Sequence, residues 1–130
     1  MAQKSVIEAL GLTKLVYNLN VLSQNAALAA LEYADDILAH NIPPTLAARD
    51  VFYKALEAVP EITAYPSATN FVLIRVPDGP AMDKALRDAD ISVRSYKADN
   101  LKDCLRITIT TEDVVQKVVA VLTKEVKKHA

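Results

Sequence analysis

The chain is poor in the residues that most often announce a chemistry. Its 130 residues hold one cysteine, Cys104, two histidines, His40 and His129, two glycines and no tryptophan. A single cysteine excludes an intrachain disulfide framework and a cysteine-rich zinc site. The histidines are far apart and in no HExxH-type pattern, so a histidine metal centre is not expected. Two glycines cannot build a G-x-G-x-x-G or Walker-type phosphate cradle, and no G-x-S-x-G elbow is present. Aromatics are 5% of the chain, too few for a single-strand stacking platform. Charge is balanced, 15 Lys and Arg against 16 Asp and Glu for a net −1. That balance lacks the electrostatic footprint of a nucleic-acid or anionic-membrane binder. The apolar stretch from Ala26 to Ala34 is broken by Glu32 and is too short to span a bilayer. The polar opening, Met1 to Ser5, lacks the form of an export signal. A cytoplasmic location is the expectation.

What is present is an apolar majority, 52% against 24% charged, enough to bury a core in one domain of this length. Residues 1–20 read as an N-terminal arm or helix entry and residues 21–130 as the folded domain. Val21 to about His40 has helical spacing, with Asn20 or Ser23 as its cap. Pro43-Pro44 is expected to interrupt or kink it. Thr45 to Val59 resumes the helical period until Pro60. Ile62–Tyr65 reads as a short strand, and Asn70–Val76 as a central strand covered on both faces. After the Pro77–Pro80 turn, Ala81–Ala89 is helical, Ile91–Tyr96 and Cys104–Thr110 alternate as strands, and Glu112 to about Lys127 closes the chain as a helix capped by Thr110 or Thr111. The order is α-α-β-β-α-β-β-α. The fold class is α/β (α+β), a small, mainly antiparallel sheet packed with helices.

Two arginines stand out. In Cys104–Thr110, Leu105, Ile107 and Ile109 share one face, and Arg106, Thr108 and Thr110 the other. In Ile91–Tyr96, Ile91 and Val93 oppose Ser92, Arg94 and Tyr96. Neighbouring strands would bring two guanidinium forks, each suited to carboxylate or phosphate, into one polar space. The plain alternative is two solvated surface arginines. Asn70 either orients a ligand or closes a turn. Tyr17, Asn18 and Asn20 form either a polar lip or a helix entry. Cys104 is expected as a buried, inert thiol, and Asp35-Asp36 as a solvated pair.

Four segments then become familiar: Leu15–Gln24 (LVYNLNVLSQ), Tyr65–Val76 (YPSATNFVLIRV), Ile91–Arg94 (ISVR) and Cys104–Thr108 (CLRIT). In this order and spacing they resemble the C-terminal small domain of histidinol-phosphate aminotransferase, a class I/II, fold-type I enzyme of pyridoxal phosphate (PLP). The resemblance runs from about Ile7 to Val126. It implies that Arg106 grips the substrate carboxylate, that Arg94 helps bind the polar or phosphate end, and that Asn70 lies near the same cleft. It implies amino transfer to 2-oxoglutarate in histidine biosynthesis for the complete enzyme.

Departures accompany the likeness. Thr110 stands where the family has glycine, and Pro43-Pro44 falls where related proteins have a continuous helix. None of Lys4, Lys14 or Lys54 lies in the S-x-x-K-type context of the lysine that carries PLP. PLP chemistry needs that amine and a carboxylate on the ring nitrogen. The chain alone is therefore expected to hold no PLP and to be inactive. The competing reading is a non-catalytic anion- or protein-binding module derived from that domain. Expected partners are a small amino acid or phosphate ester, a missing large domain, and a second copy of the chain, since alanine-rich helices left bare favour self-association.

Overall fold

The computed structural model describes residues 2–14 and 19–129. The expectations for Tyr17 and Asn18 lie outside these residues. The element order is α1 (Lys4–Gly11), α2 (Val21–Glu32), α3 (Ala34–Leu56), β1 (Thr63–Ala64), β2 (Phe71–Arg75), α4 (Gly79–Asp88), β3 (Arg94–Ser95), β4 (Cys104–Thr108) and α5 (Glu112–His129). The chain divides into two compact units, Met1–Leu38 and Ala39–Ala130.

In the first unit, Asn20 caps α2 by accepting a hydrogen bond from the Ser23 amide at 2.9 Å. Neither α1 nor α2 has a buried residue. Ile7, Leu10, Leu22, Leu28 and Leu31 are all exposed.

At Pro43-Pro44 the structure corrects one of the two expected outcomes, since the helix is not interrupted there. The helix pattern stops at Tyr33, which leaves helical geometry at φ −101°, ψ 23°, and α3 then runs through both prolines. A proline removes one amide donor and crowds the preceding turn. Here the preceding turn at Ala39 and His40 is exposed, so water can reach the backbone that the prolines crowd. The Thr45 hydroxyl donates to the Asn41 carbonyl at 2.8 Å in the same stretch.

In the second unit, four antiparallel strands lie in the order β1-β2-β4-β3. Ala48, Phe52 and Leu56 of α3, Met82 and Leu86 of α4, and Val115, Val118, Leu122 and Val126 of α5 share one core with Val72, Ile74, Leu105 and Ile107. Those four strand residues fall on one face by alternation, and Val72 pairs with Ile107 and Ile74 with Leu105. The expectation that β2 is covered on both faces is therefore also corrected. It is interior in strand order, yet Phe71 and Arg75 are exposed and Leu73 is half-buried. Helices α3, α4 and α5 pack on the other side. The strand expected over Ile91–Tyr96 shrinks to Arg94–Ser95, although Ile91 and Val93 do pack against the core.

Turns fix the ends. Asp78 caps α4 through the Ala81 amide at 2.9 Å. Its first residue, Gly79, presses on the β3–β4 loop so closely that a Cβ there would stand 2.1 Å from the Lys102 carbonyl oxygen. Glycine is required at this approach. The helix ends in a Schellman arrangement: the Ile91 amide donates to the Leu86 carbonyl and the Asp90 amide to the Arg87 carbonyl. Asp90 takes the left-handed conformation, φ 59°. Among the described residues, no helix is long and apolar enough to cross a membrane.

Candidate anion-binding site

The open face of the sheet carries the arginines. Strand β4 places Arg106 outward because Leu105 and Ile107 on either side turn into the core. Strand β3 runs antiparallel beside it, and its register sets Arg94 directly opposite Arg106. Two like charges at a direct cross-strand position repel. Neither arginine forms an ion pair with a described residue, so nothing in these residues neutralises the pair.

Arg106 is held in place by an aromatic ring. Its guanidinium carbon lies over Phe71 of β2, 4.8 Å from the ring centroid, a cation–π geometry. Its Nε is buried without a hydrogen-bond partner among the described residues. A buried donor left unsatisfied costs about 1–3 kcal/mol, a cost the fold bears at this position. Arg94 is more exposed. Its two-residue strand is anchored from the helix side, where the Ser95 hydroxyl donates to Asp83 Oδ2 at 3.3 Å. The same carboxylate oxygen takes two hydrogen bonds from Arg87, at 3.1 and 2.9 Å.

A third arginine, Arg75, stands on this face. It is two residues along β2 from Leu73, the direct partner of Arg106. Its Nε donates to the Tyr65 hydroxyl at 3.3 Å and its Nη2 to the Asn100 carbonyl at 3.2 Å. The Tyr65 hydrogen bond is the main reason its pKa is raised still further. The near-continuous apolar run of Asn70–Val76 hides Arg75 and Phe71 as site residues in the sequence. The alternation of β2 was the available signal, since Val72 and Ile74 inward put Phe71, Leu73 and Arg75 outward.

Asn70 is placed elsewhere. Its carbonyl accepts the Ile109 amide at 2.7 Å, and it lines a cleft of about 350 Å³ with Ile42, Leu46, Arg49 and Thr69. Helix α3, which supplies that wall, packs on the core face. The structure thus brings Arg94 and Arg106 together and sets Asn70 apart from them. Cys104 is fully buried, and no cluster of His, Cys, Asp or Glu able to hold a metal occurs among the described residues.

No protein-family model matches the sequence. The chain is 35% identical over 112 residues to the histidinol-phosphate aminotransferase of Thermoanaerobacter sp. (strain X514), an alignment covering 85% of this chain and 31% of that protein. The crystal structure of the histidinol-phosphate aminotransferase from Clostridium acetobutylicum matches the fold with a TM-score of 0.77 at 23% identity, over 98% of this chain and 39% of that one. The Sinorhizobium meliloti enzyme, crystallised with pyridoxal-5'-phosphate, matches with a TM-score of 0.62 at 23% identity, over 81% of this chain and 28% of that one. By sequence and by fold, this chain is homologous to the histidinol-phosphate aminotransferases, of whose length it spans about a third.

Proposed function

We propose that this chain is the substrate-gripping, C-terminal part of a PLP-dependent aminotransferase of the histidinol-phosphate type. Arg106 binds the carboxylate or phosphate of an amino compound, and Arg94 closes on the same group from the neighbouring strand, while Asn70, in the cleft against α3, lies outside this grip. One observation carries it: two arginines in direct register, without an ion-pair partner among the described residues, one of them fixed over an aromatic ring. A planar anion accepts from two such forks and cancels their repulsion. The Phe71 ring fixes one fork beforehand, which lowers the ordering cost of binding.

PLP supplies the electron sink for amino transfer when bound. The residues described do not fit it by themselves. An amine that forms an imine readily needs a desolvated or otherwise activated lysine, and every described lysine is exposed. No chemical step is assigned to this chain. It binds and orients, and the amine and the groups that seat the cofactor belong to the rest of the longer enzyme, with 2-oxoglutarate as acceptor. The exposed apolar residues of α1 and α2 support a further part of this reading, that the chain alone self-associates. A clean monomer by light scattering at high concentration would count against it.

The test is an NMR titration of the labelled chain with inorganic phosphate and with histidinol phosphate. The expected result is a saturable shift of the Arg94 and Arg106 Nε–H signals, lost in Arg106→Met. No saturable shift, or unchanged binding by Arg106→Met, overturns the reading. Mixing the chain with PLP and substrate is expected to leave the visible band without turnover. Turnover would refute the inactivity of the chain alone.

A further inference from the structure

We infer that Arg75 is a third anion-binding arginine of the same face, and that it takes a second acidic group on the ligand held by Arg94 and Arg106. The inference rests on the function proposed above. Arg75 and Arg106 occupy adjacent strands, offset by two residues, because Leu73 is the partner of Arg106 and Cys104 the partner of Arg75. Such diagonal positions lie about 7–8 Å apart. Two arginine side chains so placed reach the two ends of one small diacid.

Arg75 is also prepared for that task. A guanidinium carries five N–H donors. The Tyr65 hydroxyl takes one and the Asn100 carbonyl another, and among the described residues no ion pair or other hydrogen bond uses the remainder. These two bonds hold the group at one orientation while it stays exposed to solvent. The Asn100 carbonyl belongs to the loop joining β3 to β4, so the strand of Arg94, the strand of Arg106 and Arg75 itself are tied together. Both groups that bond Arg75 are neutral, and the nearby Asp103 carboxylate acts on it through charge without forming an ion pair, so its remaining donors are open to a ligand.

The ligand class that follows is a compound with two acidic groups, of which propionate and glutarate are simple probes for one group and two. Binding to the full chain is measured by NMR titration at constant ionic strength. The wild-type chain is expected to bind glutarate at least about five-fold more tightly than propionate, the scale of one added charge-assisted contact. Arg75→Met removes that preference and leaves propionate binding unchanged. Lys102→Met, which deletes a charge from the adjacent loop, keeps the preference. If Arg75→Met does not fold, Tyr65→Phe, which frees the Arg75 side chain, is expected to reduce the preference. A preference that survives Arg75→Met, or Tyr65→Phe in its place, overturns the inference. Loss of both ligands' binding in Arg106→Met is expected. Retention of both in that variant would overturn the function proposed above rather than the part given to Arg75.

Discussion

Arg94 and Arg106 are direct cross-strand partners in an antiparallel pair. They stand on the face of the sheet opposite the one on which α3, α4 and α5 pack, and neither forms an ion pair with a carboxylate among the described residues. An arrangement that costs stability in the free protein is relieved when an anion sits between the two charges. In low-salt buffer without phosphate, Arg94→Gln is therefore expected to match or exceed the wild-type chain in stability, by no more than about 1 kcal/mol. Added phosphate should raise the urea midpoint of the wild type and leave that of the variant unmoved. A marked destabilisation by Arg94→Gln in the absence of anions would contradict this account.

Gly79 is the point where helix α4 meets the β3–β4 loop. A methyl group there would collide with the Lys102 carbonyl at 2.1 Å and with Asp103 Cα at 2.7 Å. Both are backbone, so neither can turn away. The same loop is tied down by the Gly79 amide donating to Asp103 Oδ1 and the Val76 amide donating to the Asp103 carbonyl. Gly79→Ala is expected to lower unfolding free energy by about 2–3 kcal/mol, measured by urea denaturation. A loss of a few tenths would show that the helix start and loop separate freely.

Asp90 occupies the left-handed position that closes α4, where glycine carries no Cβ penalty. Asp90→Gly is expected to stabilise the protein by about 0.5–1 kcal/mol, and Asp90→Ala to destabilise it. A shift of the melting temperature in the same direction for both would rule out backbone strain as the cause.

The first turn of α5 contains a carboxylate held by a hydroxyl. Thr111 donates to Asp113 Oδ1, and this bond is the main reason the Asp113 pKa lies below its ordinary value. A depressed carboxyl pKa adds stability above its unfolded value, and that contribution is lost as pH falls through the folded value. Thr111→Val should raise the Asp113 pKa toward the ordinary aspartate range, read by carbon NMR titration. The stability difference between the two proteins should be present at neutral pH and vanish in acid below the depressed value. An unchanged Asp113 titration would disprove the role of the hydroxyl.

Local chemistry was legible in the sequence. Asn20 caps α2, and the Pro77–Pro80 segment turns and starts α4. The alternation of β4 sends Leu105, Ile107 and Ile109 inward and Arg106 outward. Each depends on neighbours within a few residues, which is what propensity and periodicity read. The same alternation in β2 was written in the chain but was masked by Leu73 and Phe71, apolar residues on the open face.

Tertiary structure decided the rest. That Arg94 lies opposite Arg106, and not one residue out of step, is a matter of register. A two-residue strand has too little pattern to set it. The loop tied down at Asp103 and the Ser95–Asp83 bond hold it instead. The passage of α3 through Pro43 and Pro44 depends on where water reaches, and the one-sided burial of β2 depends on where three helices pack. By itself the sequence determined which residues face outward. Which of those charges meet depended on hydrogen bonds between residues distant in the chain, because local periodicity carries no information about distance across a sheet.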